Sequence, residues 1–189
     1  MRNEIFMLIP SHIMVADHVY DHMKKNYGVS FSYSSLVYGS VLPDMREKAE
    51  GAHYGEQCLK SIAGLISELE NDDCSDLRLF SRRMGELLHY TADYFTAAHN
   101  KGYLKRNLRL HMIYETKLHF ALQKTLKKLA GTCQRTDTEP LAYLKWLHER
   151  YEDEGGGLGT DLNYIFVASV AVTVSVMSLY YRKQQSEAA

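Results

Sequence analysis

His89-Tyr-Thr-Ala-Asp93 is followed, after Tyr94, by Phe-Thr-Ala-Ala-His99, and His111-Met-Ile-Tyr-Glu115 comes soon after. Residues four apart share one face of a helix, so each HxxxD or HxxxE pair presents two donors together only if its segment is helical. Imidazole nitrogen and carboxylate oxygen are what zinc takes when no thiolate is offered. A helix that needed only a core would carry Leu or Val at these positions. This region constrains both the fold and the chemistry.

The spacing also divides the donors. His99 lies ten residues after His89, and on one continuous helix from Asp76 to His99 that is a rise of about 15 Å. Donors to a single zinc, at bonds of about 2.0–2.2 Å, crowd within a few ångströms of each other. The pattern therefore predicts that His89 and Asp93 serve one metal region. His99, at the helix end, faces His111 and Glu115 of the next helix at a second. That trio leaves room for water, as catalytic rather than closed sites do. The first region needs more donors, and the N-terminal third offers Ser11-His12, Gly39-Ser40-Val41-Leu42-Pro43-Asp44 and Gly51-Ala52-His53 near helix junctions. Such junctions are common places for side chains that converge from different elements.

The rest of the chain reads as helices and loops. Helices are expected over 11–25 with Ser11 as N-cap, over 34–40 with breaks at Gly39 and Pro43, over 54–70, 76–99, 110–129 and 141–151. Strand alternation is scarce, so the expected class is all-α: a single-domain multi-helix bundle over 1–189 with a metal cluster between its helices. From Leu162 to Tyr181 there is no charge, and Arg182-Lys183 follows at once. That length could span a bilayer. The favoured reading is the central buried helix of the domain, with C-terminal membrane attachment as the alternative. Its Val and Thr content is locally strand-like.

Composition excludes little else. The net charge of −1 has its signs interspersed, so there is no strong nucleic-acid signal. Cys58, Cys74 and Cys133 form no CxxC and read as reduced, and the first apolar run is too short for a signal peptide. A cytoplasmic protein is the expectation. His18 and His22 read as a solvated pair, His119 as a surface or core histidine, and His148 beside Trp146 as structural.

The ordered donors resemble the bacterial zinc-dependent phospholipase C proteins, which are related in fold to the S1/P1 nucleases. Ser11-His12-Ile13 is similar to the opening Ser-His pair, His89-x3-Asp93-x5-His99 to the central ligand helix, and His111-x3-Glu115 to the HxxxE. The resemblance implies two or three zinc ions. His53, His89 and Asp93 would hold one, and His99, His111 and Glu115 a second. Asp93 would bridge to a third that also takes His12. Asp44 looks like the active-site aspartate, a ligand or general base. Secreted members complete the third site with a processed N-terminal residue, whereas here Met1 lies eleven residues before His12. The implied activity is hydrolysis of phospholipid or another phosphodiester, with peripheral membrane contact. The alternatives are an S1/P1-like nuclease and a metal-binding helical protein without turnover.

Overall fold

The computed structural model describes residues 9–46, 55–71, 76–102, 104, 107–125 and 139–187. Its helices are α1 (Ile9–Tyr27), α2 (Tyr33–Met45), α3 (Gly55–Glu70), α4 (Leu77–Tyr94), α5 (Ala97–Asn100), α6 (Leu108–Thr125), α7 (Pro140–Asp153) and α8 (Leu158–Glu187). No strand occurs among the described residues. The fold is all-α, as the sequence predicts.

The core gathers around α8, which packs against α1, α3, α4, α6 and α7. Ile165, Ala168, Thr173 and Val176 are each 0% exposed. A helix with neighbours on every side is apolar on every side, which accounts for the uncharged stretch. It also overrides the local strand preference of the Val-rich run. By length and composition α8 could cross a membrane, yet 72% of its most apolar window is buried inside the bundle.

Helices α2 and α4 touch backbone to backbone. A Cβ on Gly39 would fall 2.0 Å from the Arg82 carbonyl oxygen, and one on Gly85 would fall 2.1 Å from that of Leu36. Only glycine permits this approach. It corrects the expected break in α2: Gly39 is there for packing, and the helix runs through it to Met45. Pro43 sits in the final turn, where its missing N–H removes one bond near a terminus rather than splitting the helix.

Two other expectations change. Helix α1 begins at Ile9, so Ser11 lies inside it and is not its N-cap. The segment expected as one helix from Asp76 to His99 divides into α4 and α5. Phe95 leaves helical geometry, with φ −105° and ψ 25°, and Thr96 is extended at the start of α5. Acidic side chains close two other helix starts. Asp76 caps α4 by accepting from the Arg78 and Leu79 N–H groups at 2.8 and 3.2 Å, satisfying donors that the first turn leaves open. Glu139 does the same for α7, with Pro140 at its first position.

Candidate metal centre

Four helices and one short turn converge at the site. Helix α4 supplies His89 and Asp93 one turn apart, and their Nε2 and Oδ2 atoms lie 3.3 Å from each other. The close α2–α4 contact brings Asp44 across, with Oδ1 3.6 Å from His89 Nε2. Helix α1 adds His12, whose Nε2 is 3.8 Å from Asp44 Oδ2 and 3.6 Å from Asp93 Oδ1. The His12 and His89 rings stack at 3.9 Å. His12, Asp44 and His89 can thus direct their ligand atoms at a single ion.

A second group forms beside the first. The break at Phe95–Thr96 turns the chain back, so His99 Nε2 comes to 3.5 Å from Asp93 Oδ1. The 15 Å offset expected for one continuous helix is therefore absent. His99 Nε2 also lies 3.4 Å from Glu115 Oε1, and His111 Nε2 lies 2.8 Å from the same oxygen. His99, His111 and Glu115 make a second set able to hold an ion. Asp93 stands between the groups, with Oδ2 toward His89 and Oδ1 toward His12 and His99.

The arrangement has the chemistry of a cation site. His89 Nδ1–H donates to the Ser40 carbonyl at 2.9 Å, which turns the lone pair of Nε2 toward the Asp44 and Asp93 oxygens. A lone pair facing carboxylates is repulsive unless positive charge lies between them. Most of the separations lie between 3.3 and 3.8 Å, and bonds of about 2.1 Å at tetrahedral angles put neighbouring donors about 3.4 Å apart. The side chains of Asp44, Asp93 and Glu115 are 4%, 0% and 0% exposed, and carboxylates buried this deeply need paired positive charge. Glu115 Oε2 is buried without a hydrogen-bond partner among the described residues. Burial pushes the His99 imidazole down, but Asp93, Glu115 and Asp44 outweigh it and hold the ring above the usual histidine value. The donor set of nitrogen and oxygen fits zinc.

Outer contacts fix the donors. Gln123 Nε2 donates to His119 Nε2 at 2.9 Å, so His119 Nδ1–H donates to Ser11 Oγ at 3.0 Å. That link ties α1 beside His12 to α6 one turn beyond Glu115. His119, read from sequence as a plain surface or core histidine, has this connecting role. His148 is structural, stacked at 3.8 Å on Tyr94. Tyr94 is itself core, 7% exposed. Tyr90 sets its ring edge-on to His89 at 5.3 Å, and burial pushes its hydroxyl up to about 12. His53 lies outside the described residues. The residue that sequence reasoning missed is Asp161, a 0% exposed carboxylate in the first turn of α8. Its one mark in the sequence is its place as the last charge before the long uncharged run, which points to no partner.

An all-α bundle that brings two sets of imidazole and carboxylate donors together between its helices defines a helical metalloprotein of the hydrolase type. The sequence matches the zinc-dependent phospholipase C family model over residues 11–153. That span is more than half of the chain and includes all eight sequence-predicted donors, so the chain belongs to this family, whose chemistry is phosphodiester hydrolysis. No curated protein and no solved structure matches it.

Proposed function

We propose that this chain, folding as one unit over 1–189, is a zinc-dependent phosphodiesterase that acts on phospholipid. The observation that carries the reading is the pair of donor groups joined by Asp93, each with three ligand atoms close enough for one ion. Two zinc ions, one in each group, bring four positive charges against the three of Asp44, Asp93 and Glu115, which leaves the site cationic toward a phosphate diester. A third ion would need donors beyond these.

Zinc bound there supplies a Lewis acid for phosphoryl oxygens and brings the pKa of a coordinated water toward neutrality. The chain's own residues do the rest. His12, His89, Asp93, His99, His111 and Glu115 are all buried, and the Asp44 side chain is 4% exposed. By its likeness to the family's active-site aspartate, Asp44 is the group that meets substrate. An Asp44 carboxylate oxygen would take the proton of the attacking water as the new P–O bond forms and the ester P–O bond to the alcohol breaks, the leaving oxygen taking its proton from solvent water. The seven donors, held by α1, α2, α4, α5 and α6, fix the reacting groups without reorganisation.

Helix α6 supports a lipid substrate. Its inner face carries His111, Glu115, Leu118 and Leu122, all buried. On its outer face Leu108, Met112, Ile113 and Phe120 are 44–56% exposed, with Arg109 and Lys117 among them. An apolar row edged by basic residues suits an anionic phospholipid surface.

The test is turnover by the full zinc-loaded chain of a chromogenic phosphocholine ester, of phospholipid vesicles and of single-stranded DNA. Wild type is expected to hydrolyse the lipid substrates, and Asp44→Asn to be slower by about 10²–10⁴-fold while keeping metal at the His99 group. Equal, negligible turnover in both metal-loaded proteins would leave a metal-binding protein without activity. Hydrolysis of DNA alone would favour the nuclease alternative.

A further inference from the structure

Asp161 lies beyond the family-matched residues 11–153 and is fully buried at the start of α8. Both of its oxygens are used. Oδ2 accepts the Ala97 N–H at 2.9 Å and the Tyr114 hydroxyl at 2.7 Å. Oδ1 accepts the Tyr151 hydroxyl at 2.9 Å and the Gly157 N–H at 3.0 Å. Burial raises the carboxyl pKa and the four hydrogen bonds counter it in part. Desolvating a carboxylate is costly, and the contacts show what this one holds.

The two oxygens serve different parts of the fold. The Oδ1 bonds close the α7–α8 turn. The Oδ2 bonds join the two elements that carry the second donor group. Ala97 opens α5 two residues before His99, and Tyr114 immediately precedes Glu115 on α6. Helix α5 has four residues, too short to hold its own direction. One oxygen of Asp161 therefore sets the distance between the His99 and the His111–Glu115 arms.

We infer that Asp161 is a positioning residue for the His99–His111–Glu115 metal site, so that α8 completes this site from outside the family-matched region. The inference rests on that group's being a metal site. Outer groups that orient ligands change metal affinity by about 10- to 100-fold when lost. Asparagine at this position would turn an amide N–H₂ toward two of the four donors, breaking the clamp with little change in volume.

The experiment measures zinc affinity by chelator competition on the full chain, with His111→Ala marking which binding step belongs to this group. Asp161→Asn is expected to weaken that step by about 10- to 100-fold and to leave the His12–Asp44–His89 step unchanged. Tyr114→Phe removes the hydroxyl link between Asp161 and α6 and should weaken the same step by several-fold, which keeps the test valid if Asp161→Asn fails to fold. Tyr164→Phe removes the Tyr164–Glu154 hydrogen bond near the same turn, away from Asp161, and should lower the melting temperature without moving either step. Wild-type affinity in Asp161→Asn and Tyr114→Phe would overturn the inference. So would loss in all three variants in proportion to stability, which is what a merely structural role gives. If His111→Ala changes no binding step in wild type, the metal-site reading itself fails, and the inference with it.

Discussion

His99 Nε2 lies 3.5 Å from Asp93 Oδ1 across the break between α4 and α5. An unbroken helix would carry the imidazole up and around the axis, away from the carboxylate. The break makes Asp93 common to both donor groups, since its other oxygen faces His89 at 3.3 Å.

Asp93→Asn should therefore weaken zinc binding at both groups, each by more than about 100-fold, beyond what loss of an outer partner costs. Chelator competition resolves the two steps. Weakening of one step alone would mean that Asp93 does not join the groups.

The α2–α4 contact makes its own prediction. A Cβ on Gly85 would meet the Leu36 carbonyl oxygen at 2.1 Å and the Ser40 nitrogen at 2.7 Å. Neither neighbour is a flexible side-chain end, so the helices must separate. Gly85→Ala should cost about 2–3 kcal/mol of stability, at the upper end of overpacking, as measured by urea unfolding. It should also weaken zinc binding at the His12–Asp44–His89 group, because separation moves Asp44 from His89.

Much of this site could be read in the primary structure because its donors follow helix periodicity. His89 with Asp93 and His111 with Glu115 are i,i+4 pairs, and such pairs meet whatever the tertiary fold. The grouping of His99 with the second pair was legible as well. What could not be read depends on contacts between distant segments. Gly39 and Pro43 look like helix breakers until α4 lies against α2. Ser11 looks like a cap until His119 comes within 3.0 Å. His12 was expected beside Asp93 at a separate ion, and the fold places it with Asp44 and His89 as well. Asp161 carries no local motif, and its four donors come from α5, α6, α7 and the turn before α8.

His148 gives a pH dependence. Burial lowers its pKa from the ordinary value of 6.5, and Glu152 opposes this only in part. The unfolded chain then takes up the proton at higher pH than the folded one. The neutral ring's contribution is full above about pH 6.5 and falls as the pH drops from there toward the lowered folded value. His148→Phe keeps a ring against Tyr94 and removes the titration. Thermal melts should show wild type losing more stability than this variant between pH 7.5 and 5. Identical losses would contradict the assignment.

The outer face of α6 predicts a split between substrates. Ile113→Ser with Phe120→Ser removes apolar side chains that are 44% and 56% exposed and makes no change to the donors. Sedimentation with anionic vesicles should fall, and so should the rate on vesicles, while the rate on a soluble phosphocholine ester stays at the wild-type level. Equal loss on both substrates would place the effect in folding or catalysis rather than at a membrane surface.

Hydrolysis at this site requires cations lying between these imidazoles and carboxylates. Anomalous diffraction at the zinc edge, from crystals of the full chain grown with zinc, is the most direct measurement. Two peaks are predicted, one among His12, Asp44 and His89 and one among His99, His111 and Glu115, both within bonding distance of Asp93. A map with no peak at either place, in crystals that hold zinc elsewhere, would contradict it.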